Sequence, residues 1–251
     1  MLIRFESALA VRPAADAADA IGAWELVSQA QQPDAGAGWL IPQPAHSALA
    51  GEIAAKLRTD FFPGLNQKVL RSISLHDAGW SAFDAGQIVS AREFAAQFHP
   101  VSFVAEKPEI YLAAWTDSIE LAEKGCAECG YMVSRHFAAL AKDANRQVTQ
   151  FHDREIRRQQ RLERASGKPH EELERLWHAL RFCDLLSLFL CCNIGLSPGA
   201  EVRFGDYVMG REQDDFVFRG NSPMRERTEF TFSGVTFGGK SGGGWFNSVV
   251  R

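Results

Sequence analysis

The sequence predicts a mainly α fold, a helical bundle with a small antiparallel β element formed by the N-terminal strand and the C-terminal tail. The first observation is a series of segments in which apolar residues recur every three or four positions, as in helices that bury one face. The second is a change after Pro198, where short apolar runs alternate with Gly, Asn and Pro, as strands and turns do. The third is composition, because 46% hydrophobic and 23% charged residues are ordinary for a globular protein.

The elements are expected in a defined order along the chain. Strands are predicted at residues 1–4 and 39–41, and the segment between them, rich in Ala, Gly and Pro, is expected to be an irregular extension. A loop is predicted over 81–108. The remaining predictions are helices at about 45–57, 67–80, 109–124, 131–142, 149–165 and 170–193, and strands at about 201–208, 215–219, 229–236 and 245–250. The chain then has three parts: residues 1–37, a helical body over 38–198, and a β appendage over 199–251 packed on the same domain.

The charge of the chain limits the partners that we expect. A net charge of −4 and a pI of about 6.0 argue against a broad surface for nucleic acid or anionic membranes. No apolar run reaches the roughly 18 residues of a membrane span, and no signal peptide is recognised. Three of the five cysteines follow one apolar helical pattern, which favours buried thiols in a reducing cytoplasm. We therefore expect a cytoplasmic protein with a small-molecule substrate, and a homodimer remains open.

Three histidines lie on the apolar faces of predicted helices. Each shares its face with apolar residues three, four or seven positions away: His46 with Leu49 and Ile53, His76 with Val69, Ile73 and Trp80, and His136 with Met132 and Leu140. Asp77 follows His76 directly and aligns with Leu70 and Ile73. Imidazole nitrogens and carboxylates on inward faces are suitable metal ligands.

Asp184 lies in an almost continuous apolar run, between Cys183 and Leu185. An isolated carboxylate in such surroundings is costly, so it needs a cation, a metal ion or several hydrogen-bond donors. With Asp77 as a second carboxylate and the histidines as nitrogen ligands, the set favours iron, manganese or zinc over calcium, which prefers oxygen alone.

A structural interpretation of each residue stays open. A single inward histidine is more often a core residue that donates to a carbonyl group than a metal ligand. Asp184 could pair with Arg181 or Arg135, and Asp77 could be a helix C-terminal residue that accepts from nearby amides. The occurrence of four such residues on apolar faces of different helices nevertheless favours one shared metal site.

The order His46, His76–Asp77 and Asp184 on a helical body resembles the HD-domain superfamily of metal-dependent phosphohydrolases. The segments SLHDAGW (74–80) and FCDLLSL (182–188) are similar to that family's apolar-His-Asp-x-Gly segment and to the helix that carries its last Asp. The resemblance implies an HD-like body in which these four residues bind a divalent metal ion. The chain departs from dinuclear members because only His136 is a good further ligand, and Trp80 stands where phosphohydrolases often have Lys.

The chain also resembles an uncharacterised bacterial family of unknown function over about residues 38–250. The shared features are a Met-Leu-Ile-type strand at the start, a Gln-x-x-His-x-x-Leu segment (QPAHSALAG, 43–51), a His-Asp-x-Gly-Trp segment (HDAGW, 76–80) and an Asp-Leu-Leu-Ser helix.

The HD resemblance implies a metal-dependent hydrolase that acts on a small anionic substrate of the phosphate-ester type. Asp77 would orient or deprotonate water, and His136 would act beside it, as a catalytic residue or as a ligand of a second metal ion. Arg135, Trp80 and Asp84 are candidates for the substrate pocket. Two alternatives stay open, namely a non-catalytic HD-like scaffold that binds a ligand or partner, and an iron-dependent oxygenase of the same superfamily.

Two further motifs are interpreted as structural. GVTFGGKS at 234–241 matches the phosphate-loop pattern, but too few residues follow for a helix and a parallel sheet, so a glycine-rich hairpin is favoured. Cys126 and Cys129 have no second pair for a zinc site and no βαβ pattern around them, so two incidental thiols in a helix-terminal turn are favoured.

Overall fold

The computed structural model describes residues 1–13, 20–32, 36–94, 98–141, 145–238 and 242–251. Over these residues the fold is α+β: about 53% is helical, and eight strands form one large mixed sheet. The predicted mainly α bundle with only a small β element is therefore wrong. The strands were individually short and came from distant parts of the chain, and local periodicity does not indicate which distant strands pair.

The strands of this sheet come from the first 41 residues and the last 50 residues of the chain. The described parts of the chain contain ten strands: β1 Leu2–Phe5, β2 Leu9–Val11, β3 Ile21–Gly22, β4 Gly38–Ile41, β5 Ile194–Leu196, β6 Val202–Phe204, β7 Tyr207–Glu212, β8 Asp215–Phe218, β9 Thr228–Phe237 and β10 Gly243–Val250. The large sheet has the order β1-β4-β9-β10-β8-β7-β6-β3, while β2 and β5 form a separate parallel pair. Because β4 bonds to both β1 and β9, the two ends of the chain share one sheet. The three-part division of the chain stays a prediction.

The strands on either side of the glycine-rich motif, β9 and β10, form a hairpin. Strands β9 and β10 pair antiparallel, from Thr228 opposite Val250 to Val235 opposite Gly243. A phosphate loop needs a helix after this segment, whereas a strand follows it. Residues 239–241 of the motif lie outside the described residues, and the hairpin prediction is confirmed.

The described residues form eight α-helices, of which α1, α2, α4 and α8 contact the large sheet. They are α1 Ala23–Ala30, α2 Gln43–Lys56, α3 Gln67–Ser74, α4 Ser81–Glu93, α5 Pro108–Gly125, α6 Ala127–Leu140, α7 Arg146–Ser166 and α8 His170–Cys191. Helix α2 packs against α3 and α8, and α6 packs against α5, α7 and α8. The predicted loop over 81–108 was wrong in its first half, which is α4. None of the described helices combines the length and the apolar composition of a membrane span.

The predicted helix over 67–80 ends early, and this end positions the site. Asn66 starts α3 because its side chain accepts from the amides of Lys68 and Val69. After Ser74 the amides of the chain bond to carbonyls three residues back, and a short 3₁₀ turn follows at Ala78–Trp80. A side chain at Gly79 would overlap the carbonyl of Ala114 in α5, so this turn lies directly against α5.

Helix α8 forms the centre of the core. From Phe182 to Cys191 its residues are buried except for Asp184 and Leu185, which are half-buried. Phe182 and Phe189 contact the sheet, with ring centroids 5.8 Å from Phe218 and 5.4 Å from Phe204 respectively. Thus Asp184 lies where the buried second half of α8 comes close to solvent.

The cysteines divide into two groups. Cys183, Cys191 and Cys192 are buried free thiols on or next to α8, as expected. Cys126 and Cys129 are joined in a disulfide at the start of α6, which differs from the two separate thiols that the sequence favoured. The three-residue spacing at a helix start brings the two sulfur atoms together. The Cys126 sulfur also accepts a hydrogen bond from the amide of Cys129.

Candidate metal centre

The four candidate ligands converge from three places in the fold. His46 lies in the first turn of α2, His76 and Asp77 lie in the turn after α3, and Asp184 lies in the second half of α8. Each residue offers one ligand atom, and these atoms all lie within 4.8 Å of one another. The side chains of His46 and His76 are buried, while Asp77 and Asp184 keep 9% and 15% of their side-chain surface exposed. Solvent therefore reaches the cluster from the side of the two carboxylates.

The ring of His46 is fixed with its Nε2 atom facing a carboxylate. Its Nδ1 atom lies 2.9 Å from Ser187 Oγ, and that hydroxyl donates to the carbonyl of Asp184 at 2.8 Å. Because the Ser187 proton is used in this way, the hydroxyl accepts from Nδ1–H of His46. The Nε2 atom then faces Asp77 Oδ2 at 2.8 Å.

The ring of His76 has the same arrangement. Its Nδ1 atom donates to the carbonyl of Ile73 at 2.8 Å, and Ser47 Oγ lies 3.1 Å from the same nitrogen. Its Nε2 atom lies 3.2 Å from Asp184 Oδ1 and 3.6 Å from Asp77 Oδ2. Both histidines thus present Nε2 to the carboxylates, and an acceptor fixes the Nδ1 proton of each, as is usual around metal-bound imidazoles.

The dimensions and chemistry of this cluster suit one divalent ion. Bonds of about 2.1 Å place ligands on opposite sides of an ion about 4.2 Å apart, so the observed 4.8 Å limit requires only a small contraction. Two buried carboxylates facing two imidazole nitrogens also need a positive charge between them. The cluster is therefore a buried His/Asp set that could hold a metal ion.

The pKa values describe how protons occupy the cluster. Burial lowers the pKa of His76, but the charges of Asp77 and Asp184 outweigh this effect and raise it to about 9. Burial raises the pKa of Asp184, but its hydrogen bond to His76 and the charges of the histidines lower it to about 2. The pKa of Asp77 is also lowered, because His76 and His46 outweigh the effect of burial. At neutral pH the proton on His76 thus occupies a place that a metal ion would take.

His136 lies next to this cluster and differs from it. Its Nε2 atom is 3.7 Å from Asp184 Oδ2, and its ring centroid is 5.6 Å from that of His76. Burial lowers the pKa of His136 to about 4, even though the charge of Asp184 acts in the opposite direction. His136 is therefore neutral at pH 7 and stands beside the four-residue cluster.

The three pocket candidates occupy different surroundings. Arg135 is partly exposed and donates to Glu174 from Nε at 3.2 Å. Trp80 is 2% exposed and Asp84 is 1% exposed. Asp84 accepts from the amide of Gln43 at 2.5 Å and pairs with the amino group of Met1 at 2.9 Å. Of the three, only Arg135 reaches solvent.

Sequence reasoning missed the residues that orient the histidines. Ser187 and Ser47 are fully buried, and Ser47 accepts from the amide of Asp77 at 3.3 Å. Each serine occurs close to a candidate ligand in the sequence, since Ser47 follows His46 and Ser187 lies three positions after Asp184. That proximity was the available signal, because a serine inside an apolar helix segment also needs a partner.

Comparison with known proteins gives one family and no further relative. The model of a family described as "Protein of unknown function (DUF3891)" matches residues 31–230, which is well over half of the chain. No curated protein and no solved structure matches the chain.

Proposed function

The chain belongs to the DUF3891 family, and within it we propose that this protein is a metal-dependent hydrolase of a small anionic ester. The proposal rests chiefly on one observation, the two oriented Nε2 atoms that face two buried carboxylates. His46, His76, Asp77 and Asp184 would hold the ion, and their mixed nitrogen and oxygen ligands favour iron, manganese or zinc. The resemblance to the HD-domain superfamily predicts the same function, and the geometry of the candidate ligands supports it.

The ion and the residues would have separate tasks. A divalent ion in such a site supplies a Lewis acid for a phosphoryl oxygen and makes water more acidic. Asp77 would orient the attacking water and accept its proton, since its carboxylate is ionised at neutral pH and lies at the solvent-accessible side of the cluster. The hydroxyl of Ser47 accepts from the amide of Asp77 and lies 3.1 Å from Nδ1 of His76, so it helps to hold both residues in this arrangement.

His136 would act on the substrate side of the site. It is neutral at pH 7, so its ring has one nitrogen that donates and one that accepts a hydrogen bond. Because it lies 3.7 Å from Asp184, it could form such a bond with a substrate group at the site. Helices α2 and α6 pack against α8, and His46, His76 and His136 are buried between them, so electrostatic interactions at the site are stronger than in water.

A substrate screen tests the proposal. Chelator-treated protein is assayed with manganese, cobalt or iron(II) against nucleotides, sugar phosphates and a chromogenic phosphate ester. We expect metal-dependent hydrolysis of at least one ester, and a loss of at least about 100-fold in kcat for Asp77→Asn. Asp214→Asn is the matched control, because the Asp214 side chain is 99% exposed and should leave the rate unchanged.

The outcomes separate the proposal from its two alternatives. Metal binding without hydrolysis of any ester would contradict the hydrolase and favour a non-catalytic scaffold. Two iron ions per chain with oxygen consumption would instead favour an oxygenase. Equal rates for wild type and Asp77→Asn would remove Asp77 from the proposed mechanism.

A further inference from the structure

One face of α8 continues from the metal centre to the surface. Trp177, Arg181 and Asp184 are spaced four and three residues apart, so they lie on the same side of the helix. Asp184 is a candidate ligand with 15% of its side chain exposed, and Arg181 is exposed one turn before it. Arg181 therefore stands beside the side of the cluster that solvent can reach.

Trp177 holds two guanidinium groups beside this opening. The Cζ atom of Arg135 lies 3.9 Å from the Trp177 ring centroid, and that of Arg181 lies 4.8 Å from it. Such distances give cation–π attraction, which restricts where each guanidinium can move. The indole Nε1 of Trp177 is buried and has no hydrogen-bond partner among the described residues. The polar contacts of Trp177 are therefore those of its ring with the two guanidinium groups.

The two arginines differ in their charge balance. Arg135 donates to both carboxylate oxygens of Glu174, at 3.2 and 3.4 Å, so its charge is largely matched. Glu174 is held in turn by the hydroxyl of Tyr131 at 2.8 Å. Arg181 has no ion pair within the described parts of the chain, although it lies close enough to His136 for its charge to act on that ring.

The charge of the whole site follows from these contacts. A divalent ion would balance the two carboxylates of Asp77 and Asp184, which leaves the guanidinium of Arg181 as the unmatched charge at the opening. An exposed guanidinium that is held in place and has no acidic partner is well suited to a phosphate group, which it can bind through two parallel hydrogen bonds.

We propose that Arg181, held against Trp177, is the specificity-determining residue that binds the anionic group of the substrate at the mouth of the metal centre. The ligand class is a small molecule with an exposed phosphate group. Arg135 would act as a positioning residue. Its guanidinium is hydrogen-bonded to Glu174, and it also contacts the ring of Trp177, against which Arg181 lies. This inference rests on the proposed function, but it can be tested without hydrolysis.

The test uses inorganic phosphate as the probe. Its dissociation constant for manganese-loaded protein is measured by calorimetry at fixed ionic strength, for wild type, Arg181→Gln and Arg181→Lys. Loss of charge-assisted hydrogen bonds should weaken binding about tenfold or more in Arg181→Gln. Arg181→Lys should lie between the two, because it keeps the charge but loses the paired donors.

Arg175→Gln is the matched control. Arg175 is an exposed arginine of the same helix that lies away from the stripe of Trp177, Arg181 and Asp184, so its loss should leave phosphate binding unchanged. Equal phosphate affinity in wild type, Arg181→Gln and Arg175→Gln would overturn the inference, as would no phosphate binding by the wild type.

The closing comparison separates the two proposals. If an ester is hydrolysed and Arg181→Gln keeps both KM and the phosphate affinity of the wild type, the inference fails and the proposed function stands. If no ester is hydrolysed but phosphate binding still depends on Arg181, the hydrolase fails and the anion site stands. Manganese content is measured in every variant, so that loss of metal is not mistaken for loss of the arginine.

Discussion

At the scale of single residues, a buried serine and a main-chain carbonyl decide which nitrogen of His46 and of His76 faces the carboxylates. The hydroxyl of Ser187 donates a hydrogen bond to the carbonyl of Asp184 and accepts one from Nδ1–H of His46. The sequence indicated the four candidate ligands through their apolar helical faces and the His-Asp and Asp-Leu-Leu-Ser segments. It did not indicate their orientation, because the tautomer of a histidine depends on neighbours brought from other elements.

Ser187→Ala tests this orientation. The change leaves the Nδ1 donor of His46 without its partner, so we expect metal affinity to fall about 10- to 100-fold. Metal titration of chelator-treated protein measures this affinity. Ser90→Ala on α4 is the control, since no side-chain hydrogen bond is described for Ser90. Equal affinities for both variants would contradict the role assigned to Ser187.

The raised pKa of His76 predicts how the metal-free protein responds to pH. The pKa is about 9 in the folded state and about 6.5 when unperturbed, so the folded state binds the proton more tightly. This contribution to stability is complete below pH 6.5 and is lost as pH rises through about 9. The free energy of unfolding of chelator-treated protein should therefore decrease over this range, by at most about 3 kcal/mol.

His76→Asn is the comparison for that measurement. Urea unfolding at pH 6, 7.5 and 9.5 should show a flatter dependence for His76→Asn than for wild type. His136 is present in both proteins, so its lowered pKa of about 4, which acts on stability only below about pH 6.5, contributes to both pH dependences at the pH 6 point. Parallel pH dependences for the two proteins would mean that His76 does not hold the proton in the folded state.

At the scale of elements, the close approach of α2 and α3 brings His46 to His76. A side chain at Gly51 would overlap Ser74, the last residue of α3, so glycine allows the two helices to come together. The helices themselves could be predicted from their periodicity, whereas the end of α3 at Ser74 could not. Its apolar pattern continues to Trp80, but contact between Gly79 and α5 imposes a turn instead.

Gly51→Ala tests the α2–α3 contact. The added methyl group forces the helices apart, so we expect a loss of about 1–3 kcal/mol in unfolding free energy and weaker metal binding. Gly86→Ala is the matched control, because Gly86 lies in α4 with open space around it. That variant should be stabilised by up to about 1 kcal/mol through helix propensity. Chemical denaturation measures both values, and equal effects of the two changes would contradict the close packing described.

At the scale of the whole molecule, the sheet joins segments that lie far apart in the chain. Strand β4 lies between β1 and β9, and α2, which carries His46, starts directly after β4. Most of these strands were recognisable as short apolar runs bounded by turn residues. Their assembly into one eight-stranded sheet was not, because pairing depends on contacts between distant segments that no local pattern encodes.

The central claim is that His46, His76, Asp77 and Asp184 form one metal site. Elemental analysis of protein purified without chelating resin tests it most directly, with wild type, Asp184→Ala and the exposed-site control Asp214→Ala prepared in parallel. We predict close to one transition-metal ion per chain in wild type and Asp214→Ala, and a loss of most of this metal in Asp184→Ala. Equal metal content in Asp184→Ala and wild type, or no metal in a folded wild type that also takes up none on titration, would contradict the claim.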